Sequence, residues 1–229
     1  MNSIEPFSGF GLGLRKPHYN DFLAGDVSVD FVEVISENYM VDGGRPRRVL
    51  EEIRQHYPVI LHGVSLSVGS AHGIDPDYLT RLKNLAESIE PLWISDHLCW
   101  TRTSAHNSHD LLPLPLTGEA LAVVCENLER AQDFLRRPML IENPSSYLSF
   151  PEDEMTEWEF LSQVVRRTGC YLLLDINNIV VSAHNHGFAA LDYLNGLPLD
   201  RVRQIHLAGH TPGELAIDTH DRAVPEKVW

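Results

Sequence analysis

The feature that most constrains this chain is a series of seven short apolar segments, each ending in a residue able to bind a metal. The residues at these ends are Glu37 with Asn38, His62, Asp96 with His97, Glu142, Asp175, His206, and Asp218 with His220. One histidine after a strand carries little information. A series of such residues predicts that several parallel strands direct nitrogen and oxygen ligands to one place, which in a (β/α) barrel is the carboxyl-terminal mouth. The pattern therefore indicates a metalloenzyme.

The alternation of apolar strands with helical stretches is typical of an α/β fold. The predicted strands lie near residues 9–15, 29–35, 58–65, 92–97, 138–143, 170–176 and 202–208. The predicted helices lie near residues 45–56, 76–89, 117–136, 155–168 and 187–195. Strands as apolar as residues 171–174 suit a sheet covered on both faces, and the glycines of residues 9–13 have the wrong spacing for a dinucleotide-binding fingerprint. We therefore expect a TIM-like (β/α)8 barrel rather than an open doubly wound sheet.

The predicted strands are one short of a closed barrel. The chain reaches Trp229 soon after the seventh strand, so either the eighth strand is missing or the barrel is open. We find no internal repeat, low-complexity segment or linker that would divide the chain. Residues 1–229 are therefore interpreted as a single TIM-like barrel domain, incomplete at its C-terminal end.

The charge, the apolar runs and the cysteines of the sequence each argue against particular classes of protein. A net charge of −14 with only three lysines argues against a nucleic-acid surface, because neutralising phosphates dominates that affinity. No apolar run approaches the roughly 18–20 residues of a membrane span, and the N-terminus lacks the regions of a signal peptide. We expect a cytoplasmic protein that binds neither nucleic acid nor a membrane. The three cysteines form no Cys-x-x-Cys pair, which argues against a disulfide framework or a structural zinc ribbon.

The number of candidate ligands exceeds what one ion needs. The best placed are His62, His97, Glu142, Asp175, His206, Asp218 and His220. A mononuclear catalytic site uses about three protein ligands, so this set implies two or three ions, with Glu142 a candidate bridge between them. Imidazole and carboxylate without thiolate suit iron, zinc or manganese, and the residues alone do not choose among these. A further histidine, His184, is expected in a loop from which it could fold back to the mouth.

Several motifs resemble those of a known family. They are residues 10–15, 33–39, 62–67, 95–98, 141–147, 174–178 and 205–210. In these segments, which span nearly the whole chain, the sequence resembles the multinuclear non-haem iron-dependent oxidative enzymes, to which the oxidase of methanobactin biosynthesis belongs. More distantly, the order of strand-end ligands is similar to that of endonuclease IV and the xylose isomerase-like barrels.

The resemblance implies oxidation of cysteine residues in a ribosomally synthesised precursor peptide, with two or three irons and dioxygen. It also implies a partner protein that helps to recognise the peptide. The seven candidate ligands match positions of the metal-binding series, and Asn178 stands where the endonuclease series has a further histidine. Asp96, Glu37 and Asp221 are candidates to support the ligands or to transfer protons. The polar loop of residues 101–109 is a candidate wall of a peptide groove.

Two other functions stay open at this point. One is a zinc- or manganese-dependent enzyme of the endonuclease IV or sugar isomerase type, although the acidic charge argues against duplex DNA as its substrate. The other is a truncated barrel that binds a peptide or a metal without catalysis. We favour the iron-dependent oxidase, because the motif series covers nearly the whole chain.

Overall fold

The computed structural model describes residue 4, residues 6–103 and residues 106–229, with His109 described by its backbone alone. The strands are β1 (Gly11–Gly13), β2 (Phe31–Ile35), β3 (Val59–His62), β4 (Ile94–His97), β5 (Trp100–Arg102), β6 (Asn107–Leu112), β7 (Leu140–Glu142), β8 (Tyr171–Asp175), β9 (Val202–His206), β10 (His210–Thr211) and β11 (Ile217–Asp218). The helices are α1 (Tyr19–Ala24), α2 (Arg45–Ile53), α3 (Pro76–Ile89), α4 (Gly118–Leu135), α5 (Glu157–Thr168), α6 (Ile176–His186) and α7 (Ala190–Asn195). Short 3-10 turns occupy Lys16–His18, Ser36–Asn38 and Leu199–Arg201.

One curled sheet of seven parallel strands forms the centre of the fold. Its order is β1-β2-β3-β4-β7-β8-β9, so each strand lies beside the next one along the chain. This is the sheet of a (β/α) barrel, and it confirms the predicted fold class and all seven predicted strands. In the described part of the chain no eighth strand joins this sheet. Nor is any helix there long and apolar enough to cross a membrane.

Alternation along each strand separates an outer core from the barrel interior. Leu172 and Leu174 of β8 belong to the large apolar cluster under the helices. Tyr171 and Leu173 belong to a smaller interior cluster, which Ile60, Trp93 and Leu140 complete and against which Phe7 and Phe31 pack. The next interior position of β8 is Asp175 at the mouth. The interior is therefore apolar at one end and polar at the other.

Four features differ from the predicted elements. Helix α1 and the antiparallel hairpin β5–β6 were not predicted, and the hairpin replaces much of the predicted loop at residues 101–109, of which residues 104 and 105 lie outside the described part. Helix α6 occupies a segment that we predicted as a loop. It begins directly after β8, and the Asp175 side chain caps it by accepting a hydrogen bond from the backbone N–H of Asn178. The predicted helix at residues 187–195 is reduced to α7.

The other predicted helices are confirmed, and capping residues set the ends of three of them. Asp75 caps α3 before Pro76, Thr117 caps α4, and Gly169 ends α5 in the left-handed conformation. At the start of α5, Thr156 and Glu159 form a capping box, in which each side chain bonds the other residue's backbone N–H. These caps fix where each helix starts relative to the strand before it.

We expect Thr156→Ala to lower the free energy of unfolding by about 1 kcal/mol, because it removes one half of the capping box. For a chain of this size the loss corresponds to about 2–4 °C in Tm, measured by calorimetry. The matched control is Thr80→Ala in the middle of α3, where the threonine is exposed and bonds only the carbonyl of Pro76. An equal loss in both variants would contradict a capping role.

Candidate metal centre

His62 and His97, at the ends of neighbouring strands, each use Nδ1 in a hydrogen bond within the protein fold and leave Nε2 to face the site. The Nδ1 of His97 donates to the carbonyl of Gly63 at 3.0 Å. The Nδ1 of His62 lies 2.8 Å from Ser95 Oγ, and that hydroxyl donates onward to the carbonyl of Leu61 at 3.4 Å. In the neutral form of each ring the proton therefore lies on Nδ1, which leaves a lone pair on Nε2. This is the tautomer that binds a metal through Nε2.

Both free nitrogens face the carboxylate of Glu142. Its Oε2 lies 3.2 Å from Nε2 of His62 and 3.1 Å from Nε2 of His97. Despite these short distances, Oε2 is buried without a hydrogen bond among the described residues. Two lone-pair nitrogens against a carboxylate oxygen repel one another unless a cation lies between them. The arrangement therefore fits a bound metal ion, as the buried oxygen without a partner indicates.

The ring of His206 lies between two carboxylates. Its Nδ1 is 3.1 Å from Oε1 of Glu142, and its Nε2 is 2.9 Å from Oε2 of Glu33. Burial lowers the pKa of His206, but the charges of Glu33 and Glu142 outweigh it and hold that pKa well above the usual range. The proton on Nδ1 occupies the position that a metal ion would take. His62, Glu142 and His206 offer ligand atoms that all lie within 4.8 Å of one another.

A chain of buried polar side chains supports His206 from inside the barrel. The indole N–H of Trp93 donates to Gln204 Oε1 at 2.7 Å, and the Gln204 amide donates to Glu33 Oε2. Glu33 therefore accepts hydrogen bonds from both Gln204 and His206. This chain fixes the ring so that Nε2 faces Glu33 and Nδ1 faces the mouth.

A second group of donors lies near the same Nδ1 of His206 that faces Glu142. Oδ2 of Asp175 is 3.8 Å from His206 Nδ1 and 3.5 Å from His220 Nε2, and it is buried without a hydrogen bond among the described residues. His220 Nε2 also lies 2.9 Å from Oδ1 of Asp218. The side-chain amide of Asn177 donates to the same Asp218 oxygen at 2.9 Å. His206 thus connects two adjacent groups of ligands.

The pKa values of these groups suit metal binding. Burial lowers the pKa of His62 to about 4, so its imidazole is neutral at pH 7. Burial would raise the pKa of Glu142, but the three neighbouring histidines hold it well below the usual range. Burial, followed by the charge of Glu142, raises the pKa of Asp175 to about 7. Glu142 is therefore ionised, and positive charge would stabilise the ionised form of Asp175.

Asp96 and Glu37 support the ligands from behind. Asp96 lies on the outer face of β4, opposite His97, and accepts hydrogen bonds from the backbone N–H groups of His97 at 2.7 Å and Leu66 at 3.1 Å. Glu37 Oε1 accepts three hydrogen bonds. The donors are the N–H of Val64, at 2.9 Å, the N–H of Ser65 and the hydroxyl of Tyr78. Together they clamp the turn after β3. That turn presents the Gly63 carbonyl to His97.

The structure brings most of the predicted ligands together. His62, His97, Glu142, Asp175, His206, Asp218 and His220 form the two groups described above. Asn178 lies beside them, with its Oδ1 buried and unpartnered in the described part of the chain and its Nδ2 donating to the Asn143 carbonyl at 3.0 Å.

Two predicted site residues lie apart from these groups. His184 is exposed on α6, and its Nε2 is 3.0 Å from the Gly213 carbonyl, because the predicted loop is a helix that carries the ring away from the mouth. We leave His184 out of the proposed ligand set. Asp221 is exposed on the turn after His220.

Sequence reasoning missed residues that hold the ligands in place. Glu33 and Gln204 were treated as ordinary strand residues, although a charged residue in the middle of an apolar strand is a signal of a polar interior. Asn143 was also missed: its side-chain amide donates to the Asp175 carbonyl at 3.0 Å and accepts from the Asp175 N–H at 2.9 Å. It joins the ends of β7 and β8 and so sets the position of Asp175 relative to Glu142.

The fold is that of the xylose isomerase-like barrels, and its mouth carries a candidate metal site. Among solved structures, the chain is similar to endonuclease IV from Thermus thermophilus, with a TM-score of 0.57 and 15% identity over 96% of this chain and 84% of that one. It is also similar to a xylose isomerase domain protein from Planctomyces limnophilus, with a TM-score of 0.53 and 14% identity over 90% and 75%. Identities this low show the fold alone.

The model of one family, the RiPP precursor modification enzymes MbnB/TglH/ChrH, matches residues 9–229. The chain belongs to this family, whose substrates are precursors of ribosomally synthesised and post-translationally modified peptides. It is 68% identical over 223 residues to the UPF0276 protein of Rhizorhabdus wittichii, covering 96% of this chain and 80% of that protein. It is 62% identical over 229 residues to the UPF0276 protein of Caulobacter vibrioides strain NA1000 / CB15N, covering 99% and 82%.

We expect Glu33→Leu to weaken metal binding by about 10–100-fold, because hydrogen bonds to the outer nitrogen of a ligating histidine contribute that much. Glu33→Gln, which keeps one acceptor, should fall between Glu33→Leu and the parent. Metal content is measured after dialysis against limiting Zn²⁺, with circular dichroism as the check on folding. The control Glu52→Gln alters an exposed carboxylate on α2 and should match the parent. Parental affinity in Glu33→Leu would exclude this supporting role.

The two histidine positions give a second test. His97→Ala removes an Nε2 that faces Glu142 and should lower metal content markedly. His184→Ala removes an exposed ring on α6, and this variant should retain the full metal content of the parent. Both variants are compared with the parent by elemental analysis, and a loss of metal in His184→Ala would return that residue to the ligand set.

Proposed function

We propose that this protein is a metal-dependent oxidase that modifies cysteine residues of a ribosomally synthesised precursor peptide, with dioxygen and two or three iron ions. The observation that carries the proposal is the pair of adjacent ligand groups that meet at His206. Each group contains a buried carboxylate oxygen without a hydrogen bond among the described residues, on Glu142 in one and on Asp175 in the other. Membership of a family that modifies precursor peptides supports a peptide as substrate.

The first ion would be held by His62, His97 and Glu142, and the second by Asp175, Asp218 and His220. His206 would bind on the side that faces Glu142, and Asn178 Oδ1 is a further candidate ligand. Imidazole and carboxylate donors without thiolate suit iron, with zinc or manganese as alternatives. Bound iron would supply open coordination positions for a thiolate and for dioxygen, together with the one-electron chemistry that oxidation of the thiol requires.

The chain's own residues keep this site ready for its ligands. Gly63 and Ser95 hold His97 and His62 in the tautomer with Nε2 free. Glu33 instead holds Nε2 of His206, so that Nδ1 of this ring faces Glu142. Because these supports are buried, the rings do not have to reorganise when an ion or a substrate arrives. Preorganisation of this kind is the usual contribution of a protein to metal-centred chemistry.

The proposal assigns supporting roles to Asp96, Glu37 and Asp221. Asp96 and Glu37 act through the turn after β3 rather than by touching substrate, because their hydrogen bonds are to backbone groups of that turn, to the His97 N–H and to Tyr78. Asp221, exposed beside His220, is a candidate for exchanging protons with solvent. A partner protein that recognises the peptide, and a cytoplasmic location, stay predictions.

The test is to purify the protein anaerobically, measure its metals, and follow dioxygen uptake with a Cys-containing peptide encoded beside its gene. We expect two or three irons per chain, and a peptide mass that changes only when dioxygen is present. Stoichiometric zinc or manganese without dioxygen uptake would favour a hydrolase or isomerase of the endonuclease IV or sugar isomerase type. A stable fold without bound metal would favour a non-catalytic role.

Glu142→Ala should lower the iron content below that of the parent and abolish peptide oxidation, because it removes the carboxylate that three histidines face. The control Glu129→Ala removes an exposed carboxylate of α4 and should leave both properties unchanged. Elemental analysis and peptide mass spectrometry provide the two measurements. Unchanged iron in Glu142→Ala would remove this residue from the centre.

A further inference from the structure

An apolar groove opens beside the metal centre. It encloses about 410 Å³, within the range of sites that bury most of a small ligand. One wall is the end of the β5–β6 hairpin, with Leu111, and the other is the segment after β7, with Tyr147 and Leu148. Trp158, Phe188 and Tyr193, whose rings pack against one another, line it further along.

The groove adjoins the second ligand group through one of its walls. Leu98, which lines it, directly follows His97 in the chain. The hydroxyl of Tyr147 accepts a hydrogen bond from the backbone N–H of Asp218 at 3.0 Å, so that the groove wall touches the second ligand group. A molecule lying in the groove would therefore lie beside the second ligand group.

The walls of the groove present apolar surface without a partner. Leu111 is 42% exposed and Leu148 is 49% exposed, and both line the groove. Exposed leucines grouped around a cavity are typical of a surface that another molecule covers. Covering them would remove apolar area from water.

The charge of the groove has one sign. Asp153 and Glu157 line it, and none of its described lining residues is a lysine or an arginine. Asp153 is already satisfied by the backbone N–H groups of Leu116 and Phe150. Among the described residues, Glu157 accepts a hydrogen bond at Oε1, from the hydroxyl of Tyr193, and burial raises its pKa to about 7. A cation beside Glu157 would stabilise its ionised form.

We propose that this groove binds the segment of the precursor peptide that flanks the modified cysteine, with apolar side chains on Leu111 and Leu148 and a lysine or arginine beside Glu157. This inference rests on the proposed function for the identity of the peptide. It adds the place where the peptide lies and the side chains that the protein selects. The net charge of −14 favours the same basic segment at longer range.

The test measures binding rather than turnover. A fluorescent synthetic peptide with Leu-Leu-Lys beside its cysteine is titrated into the metal-loaded protein and followed by anisotropy. Matched peptides carry Ser-Ser-Lys or Leu-Leu-Glu at the same positions. We expect each change to weaken binding about tenfold or more, since each removes either the apolar contact or the charge pair.

Protein variants locate the contact. Leu111→Asp and Leu148→Asp should each weaken binding of the Leu-Leu-Lys peptide about tenfold or more, whereas Leu191→Asp, on the exposed face of α7, should not. Glu157→Gln, which keeps an acceptor for Tyr193, should remove the preference for lysine over glutamate while leaving the preference for leucine over serine. Equal affinity for the three peptides, or parental affinity in both leucine variants, would overturn the proposal.

The two proposals fail in different ways. If the peptide binds in the groove but dioxygen uptake is absent, the oxidase is wrong and the groove stands. If the protein oxidises peptides whose binding is insensitive to Leu111, Leu148 and Glu157, the groove is wrong and the oxidase stands.

Discussion

The mouth of this barrel depends on negative charge that is buried among histidines. Glu33, Glu142 and Asp175 occupy interior strand positions and are at most 8% exposed. A buried carboxylate is stable only when it is paired, hydrogen-bonded or bound to a cation. The surrounding imidazoles and amides meet part of this need and leave one oxygen of Glu142 and one of Asp175 without a hydrogen bond among the described residues. A cation bound between these oxygens would complete their coordination. This accounts for the nitrogen and oxygen donors at the ends of so many strands.

The strands and their terminal ligands could be predicted because an apolar run that stops at a histidine or carboxylate is visible in the sequence. The supports of those ligands could not. Glu33 and Gln204 lie 171 residues apart and meet only because β2 and β9 approach across the interior of the barrel. Nothing near either residue indicates the other. Asp96 was correctly placed at a strand end, but its position on the outer face follows from a register that depends on the whole sheet.

Helix α6 was missed for a local reason. Residues 176–181 are rich in β-branched and amide side chains, which have low helix propensity. The helix forms because Asp175 caps it directly at the end of β8 and because its apolar face packs against the sheet. The error affected the site as well, because a loop would have let His184 return to the mouth. Helices α3, α4 and α5 were predicted, and each has a visible capping residue in the sequence, namely Asp75, Thr117 and Gly169.

Gly63 is not a candidate metal ligand, yet its backbone limits which substitutions this centre tolerates. A methyl group on its Cα would lie 2.2 Å from Oδ2 of Asp96 and 3.2 Å from the hydroxyl of Tyr78. Any larger residue must push the turn away from Asp96 and move the carbonyl that orients His97. A saturation library at this position, selected only for retained metal, should therefore return glycine almost alone. The backbone of one turn would then be as intolerant of substitution as the ligands themselves.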